Sequence, residues 1–318
     1  MAYATARQVE FTEIPVVDMS AGLSPVAAAI RRASTEVGFF YVSGHGVPAE
    51  IVEAAYDISR RFFARSEAEK QLVRINARHR GFLKVGEAKM YESARPDLKE
   101  SFIFGLDLPE SDPDVRSGKK LMGPNVWPAD LPEMKAALDR YYAAIDGVGR
   151  TLLRAIALSL ALPENFFVER YRKPLARGSI LYYPPQPPDF GARQFGVSAH
   201  TDYGCLTILS QDANGGLQVR NRAGEWIAAP PIPGTFVINI GDLLARWTND
   251  VFSSTPHRVV NTSGRARYSI AVFYDPDYDT LIEVLPACVK LGEAPRYPPV
   301  SCGEYIVGRF DKAFAYRQ

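Results

Sequence analysis

At 318 residues, with Lys plus Arg at 37 against 36 for Asp plus Glu, the chain carries a formal net charge of +1. That balance excludes a nucleic-acid or anionic-membrane surface built on bulk charge. A hydrophobic fraction of 47% is enough for a sizeable core. The richest apolar run, at 155–163, is far too short to span a bilayer and stops at Pro163.

Cys205, Cys288 and Cys302 form an odd set without CxxC spacing, so they read as reduced thiols. The N-terminus lacks the basic start and apolar run of a signal peptide. The expectation is a cytoplasmic protein, monomeric or weakly dimeric.

In chain order, IPVVD at 14–18 reads as a short strand. Ser24 and Pro25 then look like the cap and first turn of a helix that ends before Gly38. GFFYVSGH is dense in aromatic and β-branched residues and reads as a strand. The next helix carries Ile51, Ala55, Ile58 and Phe62 on one stripe. His45, in the Gly-rich turn between them, reads as structural. Residues 74–130 are irregular, as a wall or lid of a binding site often is. A long helical pattern follows from Pro132 to Pro163, with Gly147 and Gly149 permitting a bend.

From 178 the period becomes strand-like, with strands predicted at 179–183, 205–210, 216–219, 225–229, 235–240, 257–260 and 267–274. Short strands at that spacing predict a jelly roll, or double-stranded β-helix, buttressed by helices. One domain over 1–318 is expected: a helical and irregular part at 1–177, a jelly-roll core at 178–280 and a C-terminal tail and helix at 281–318. In that helix Tyr305, Ile306, Phe310 and Phe314 share an apolar side. It either covers the active site or packs on the outer sheet.

Only four histidines occur, and His200 and His257 both fall in the strand-rich half. Asp202 lies two residues after His200, so on a strand the two would share a face. Two imidazoles and one carboxylate are the ligand set of a non-haem ferrous site with open positions. The same set could hold zinc for a hydrolase. Arg267 and Ser269 share one face of a strand whose other face also looks covered, so the guanidinium needs a carboxylate partner. A dicarboxylic keto acid would supply one while chelating the metal, and Tyr183 could add its hydroxyl.

The segments IPVVD, GFFYVSGHGVP, KESF, YYPPQP, HTDYGCLTIL, GGLQV, STPHRVVN and RYSIAVFYDPD together resemble the isopenicillin-N-synthase-like group of iron- and 2-oxoglutarate-dependent dioxygenases. The resemblance covers nearly the whole chain. It implies Fe(II) held by His200, Asp202 and His257, and 2-oxoglutarate held by Arg267, Ser269 and Tyr183. It further implies O2 as a second cosubstrate and ascorbate as a stimulant. Many relatives have Asn where this chain has Leu181, which leaves the orientation of 2-oxoglutarate at its iron-bound end open. Two alternatives stay open here: a 2-oxoglutarate-independent oxidase or cyclase whose Arg267 and Ser269 bind the substrate carboxylate, and a non-catalytic small-molecule-binding jelly roll.

The expected substrate is a small organic molecule with a polar or carboxylate handle, neither nucleic acid nor membrane. Its pocket is expected from Phe82, Lys84, Tyr91 and Phe102 of the irregular segment, with Leu181, Trp247 and Phe273 from the barrel.

Overall fold

Seven of the strands in this chain carry two buried faces of opposite character, and that division builds the molecule. The computed structural model describes residues 14–87, 97–186, 195–261 and 263–313. The N-terminal part contains β1 (Val16–Asp18), α1 (Leu23–Glu36), β2 (Phe39–Ser43), α2 (Ala49–Phe63) and α3 (Glu67–Gln71). It continues with β3 (Gly81–Leu83), β4 (Glu100–Gly105), α4 (Pro113–Arg116) and α5 (Glu133–Ser159). The core strands are β5 (Arg177–Tyr183), β6 (Val197–His200), β7 (Leu206–Gln211), β8 (Leu217–Arg220), β9 (Trp226–Ala228) and β10 (Phe236–Ile240). After α6 (Asp242–Trp247) come β11 (His257–Val259), β12 (Arg267–Tyr274), the small pair β13 (Leu281–Ile282) and β14 (Val300–Ser301), and α7 (Cys302–Ala313).

An eight-stranded sheet, ordered β1-β2-β10-β7-β12-β5-β4-β3, faces a four-stranded sheet ordered β6-β11-β8-β9. This is the double-stranded β-helix core with a helical N-terminal region. On β2, β10, β7, β12, β5, β4 and β3 the even-numbered side chains, such as Phe40, Ile238, Ile208, Ile270, Ile180, Phe102 and Phe82, join the cluster shared with α1, α2 and α5. On β2, β10, β7, β12 and β5 the odd-numbered ones face the smaller sheet, where Tyr41, Val237, Ala271, Leu181 and Tyr183 pack with Val197, Val219 and Val259, while Leu83 of β3 and Ile103 of β4 form a separate cluster with Ile75. Period-two alternation with both faces covered produces this split.

Several elements differ from the sequence expectation. Helix α1 starts at Leu23 behind Gly22, with no side-chain cap from Ser24. The segment 74–130 is not wholly irregular, because β3 and β4 extend the main sheet. Burial of both Phe102 and Ile103 on β4 hides the alternation that marks a half-buried strand. Gly149 provides close approach instead of a bend: a Cβ there would lie 2.5 Å from the Tyr274 ring. All three cysteines are free and buried. Among the described residues no helix is long and apolar enough to cross a membrane.

Candidate active site

The metal-ligand set is assembled by a strand irregularity and a loop. His200 ends β6 and pairs in register with His257 of β11, yet Val259 pairs with Val197. Three steps on one strand therefore oppose two on the other, a bulge that turns both Val197 and His200 inward. Asp202 is not on a strand, as period-two reasoning assumed. It lies in the loop after β6, fixed by its own carbonyl, which accepts from Asp242 N at 2.7 Å.

Asp202 Oδ1 stands 3.6 Å from His200 Nε2 and 3.8 Å from His257 Nε2. One ligand atom from each of the three residues lies within 4.8 Å of the others, and all three residues are buried. His200 Nδ1 lies 2.8 Å from Ser198 O and His257 Nδ1 lies 3.3 Å from Thr255 O. A ring nitrogen that donates to a carbonyl is protonated, which leaves each Nε2 lone pair for a metal. Asp202 Oδ2 accepts from Thr207 Oγ1 at 2.5 Å and Asn239 Nδ2 at 2.9 Å, so Oδ1 is the oxygen turned to the imidazoles.

Electrostatics agree. Burial and the neighbouring His200 push the His257 pKa down to about 4, against the pull of Asp202, so this imidazole is neutral at physiological pH. Burial alone would raise the Asp202 pKa, but His257, His200 and Thr207 hold it well below the ordinary carboxylate range. A neutral nitrogen donor and an ionised oxygen are the protonation states a divalent cation requires.

Arg267 and Ser269 lie on the inward face of β12, each 1% exposed. Arg267 Nε donates to Gly215 O, and Nη1 donates to Ser269 Oγ at 3.2 Å. Nη2 is buried without a hydrogen-bond partner, which is what a guanidinium built to meet an oxyanion shows. Tyr183 is its register partner on β5, with the guanidinium 4.6 Å over the ring. The donors present therefore fit a dicarboxylic acid.

A cavity of about 110 Å³ adjoins His200 and Asp202. Leu181 and Phe273 line it, but the other expected wall residues do not. Phe82 and Phe102 are even-numbered and point into the helix-side core. Trp247 is buried against Phe167, ring centroids 5.0 Å apart. Lys84 is exposed, with its ammonium 3.9 Å from Glu67. Tyr91 lies outside the described residues, as does Phe314. His45 accepts from Val47 N and stacks near Phe236, away from the metal ligands.

The residues sequence reasoning missed are Lys99, Ser101, Arg177, Ser179 and Tyr203, all lining this cavity, and Phe310 of the C-terminal helix lines it with them. Running the alternation back from Tyr183 reaches Leu181, Ser179 and Arg177 on one face. The same step from Phe102 separates it from Lys99 and Ser101. Arg177 Nη2 pairs with Asp275 Oδ2 at 3.0 Å, and its guanidinium lies 4.6 Å from the Phe310 ring. The C-terminal helix α7 thus reaches the cavity.

Comparison with known proteins gives the family. Residues 163–276 match the model of the 2OG-Fe(II) oxygenase superfamily, and residues 14–130 match the non-haem dioxygenase in morphine synthesis N-terminal model. The 2-oxoglutarate-Fe(II) type oxidoreductase hxnY of Emericella nidulans is 34% identical, covering 95% of this chain and 91% of that protein. The chain belongs to the 2OG-Fe(II) oxygenase superfamily. The oxygenase is also 36% identical to homoarginine-6-hydroxylase 2-ODD-C23 of Glycine max, over 94% of this chain and 97% of that one. Among solved structures, a full-length Neurospora crassa protein in complex with alpha-KG superposes with a TM-score of 0.83 at 32% identity, covering 93% of this chain and 95% of that one. The JOX2 complex with 2OG, Fe and JA gives 0.81 at 28% identity, covering 97% and 87%. The oxygenase accordingly uses Fe(II) and 2-oxoglutarate, which sets aside the cosubstrate-free and non-catalytic alternatives.

Proposed function

We propose that this oxygenase hydroxylates a C–H bond of a small organic molecule carrying an anionic or strongly hydrogen-bonding group, with succinate and carbon dioxide as co-products. The single observation that carries the substrate class is Arg177, which is buried, paired with Asp275 and lines the metal-side cavity with its guanidinium 5.8 Å from the Phe273 ring and 4.6 Å from the Phe310 ring. A guanidinium with aromatic neighbours suits a planar or apolar molecule that ends in an oxyanion or carbonyl. The relatives are in keeping with a small substrate: homoarginine is named for one, and the Neurospora crassa protein and JOX2 were solved with thymine and JA.

In this reading His200, Asp202 and His257 hold the ferrous ion on one face, and Thr207 and Asn239 keep Asp202 presenting a single oxygen. Arg267, Ser269 and Tyr183 hold the far carboxylate of 2-oxoglutarate. The bound iron and cosubstrate supply the oxidising chemistry, in which dioxygen is consumed as 2-oxoglutarate loses carbon dioxide. What the chain adds is placement. Arg177 and Arg267 stand at opposite ends of the β5–β12 ladder, Arg267 opposite Tyr183 and Arg177 opposite Phe273. Six residues of extended strand separate the two ends, roughly 20 Å. Cosubstrate anion and substrate anion are thereby kept apart. Leu181 and Phe273 exclude water from the reacting carbon, and the hydroxyls of Ser101 and Ser179 offer it polar neighbours.

A screen of small metabolites for succinate release, with product mass read beside it, tests the proposal. A gain of one oxygen on an acidic or amide-bearing compound supports it. Loss of two hydrogens would replace hydroxylation by desaturation or ring closure. Succinate release driven only by a protein or nucleic acid would overturn the small-molecule reading.

A further inference from the structure

We propose that Lys99 is an additional anchor for 2-oxoglutarate, its ammonium meeting the end of the cosubstrate that lies at the metal. The inference rests on the reading of Arg267 and Ser269 given above, and goes beyond it by assigning a cation to the opposite end of the same molecule.

Lys99 immediately precedes β4, and its neighbour Glu100 pairs with Tyr182, so Lys99 comes alongside Tyr183. That places it on the Arg267 side of the ladder, away from Arg177. Its side chain lines the same cavity as His200, Asp202 and Leu181. The side chain is 12% exposed, and its ammonium donates to Asp97 Oδ2 at 2.8 Å. An ammonium has three donors, and that is its one hydrogen bond among the described residues. The register partner of Ser101 is Leu181, which donates nothing, and Arg177 lies at the other end of this strand pair, opposite Gly105, so Lys99 is the cation lining the cavity at the Tyr183 end.

Charge counting refines the role. Lys99 and the fully buried Asp97 cancel each other. A divalent ion with Asp202, and a dianionic cosubstrate with Arg267, also sum to zero. Lys99 therefore contributes direction, through hydrogen bonds, more than surplus charge. Burial works against its charge, and Asp97, with Tyr183 and Asp202, more than offsets it, so the Lys99 ammonium stays protonated. A purely structural role is the competing account. Asp97 Oδ1 accepts from Ser198 N at 3.0 Å, and Ser198 O in turn accepts from His200, so Lys99 also sits behind a metal ligand.

Binding measurements separate the two. The far carboxylate is present in 2-oxoglutarate and missing from 2-oxobutanoate, whereas the metal-end carboxylate is common to both. Full-length protein is titrated anaerobically with Fe(II), then with each 2-oxo acid, following the visible metal-to-ligand absorption. Lys99→Met is expected to weaken both 2-oxo acids about tenfold or more, the loss of a hydrogen bond to a charged group. Lys99→Arg should recover part of that, and Fe(II) affinity should stay unchanged. Lys99→Met with Asp97→Asn removes the buried pair together and guards against misfolding from an orphaned carboxylate. Unchanged 2-oxo acid affinity in both Met variants would overturn the proposal, as would a parallel loss of Fe(II) affinity, which marks support of His200 alone. Arg267→Ala reports on the underlying reading separately: it should weaken 2-oxoglutarate and spare 2-oxobutanoate.

Discussion

His200 and His257 are register partners across β6 and β11, with ring centroids 4.2 Å apart. Burial first, and then the repulsion between two imidazoles this close, hold the His257 pKa down. Its consequence for the metal-free protein has a definite sign. The unfolded chain takes up a proton near pH 6.5, while the folded His257 resists until about 4. Stability from this group is complete above pH 6.5 and is lost as pH falls from 6.5 to 4, on the order of 3 kcal/mol. Urea unfolding of metal-free protein at pH 7.5 and 4.5 should show the drop, and His257→Phe should flatten it. The depressed Asp202 extends the loss to still lower pH.

Removing the carboxylate gives a second expectation. Asp202→Ala should abolish Fe(II) binding and product formation while leaving the circular dichroism spectrum intact. Thr207→Val and Asn239→Leu remove the donors that hold Oδ2, and each should weaken Fe(II) about 10–100-fold. Iron analysis after dialysis checks all three, and full iron occupancy in Asp202→Ala would sink the ligand assignment.

Arg267→Ala should raise the KM for 2-oxoglutarate by the equivalent of roughly 2–5 kcal/mol, since it strands a desolvated carboxylate. Ser269→Ala, which removes one neutral donor, should cost about 0.5–1.5 kcal/mol. Steady-state kinetics over cosubstrate concentration decide it. Equal effects from the two substitutions would contradict the fork geometry.

Phe310 of α7 touches the cavity from the chain's far end, 4.6 Å from the Arg177 guanidinium and 4.5 Å from the His79 ring. Phe310→Ala should raise the KM for the organic substrate and leave 2-oxoglutarate affinity near wild type. Deleting residues 302–318 also removes the buried Ile306 and Val307 from the core, so it should lower Tm as well. Full activity in that deletion would return α7 to a purely outer packing role.

Two glycines two residues apart on α5 should respond in opposite directions. Gly147 is exposed, and a Cβ there meets nothing within 4 Å. Gly147→Ala should stabilise by about 0.8–1 kcal/mol through helix propensity. Gly149→Ala drives its methyl into the Tyr274 ring and should destabilise by about 1–3 kcal/mol. Thermal melting of both variants checks the pair.

The ligand triad was legible in the sequence because so few histidines were available and their neighbourhood matched a known pattern. The long helix α5 was legible from its unbroken stripe, and the late strands from their turn residues. The substrate wall was not. Phe82, Phe102 and Trp247 attracted attention as aromatics, yet aromatic character does not say which way Phe82 and Phe102 face on their strands, or Trp247 on α6. Only pairing with β5 fixes that, and β3 and β4 were hidden inside a segment without clear period. Asp202 was chosen for a spacing that assumed a strand; the loop supplied the same convergence by a different route. Arg177 and Lys99 escaped because a cation with a partner 98 residues further on, or a buried one beside its own acid, has no local signature.

The division of the large sheet by residue parity bears on how such a protein can change. In this sheet, from β2 across to β5, odd positions face the smaller sheet and even positions face the helices. Point substitutions at odd positions can alter what is oxidised while the helical packing that keeps the chain folded is left alone. A one-residue insertion within β5 or β12 would exchange the two sets at once, sending Arg267 or Tyr183 toward α2 and α5 and bringing isoleucines to the iron. Lineages with this architecture are therefore free to diversify by replacement inside strands, and must place their insertions in the connections between them.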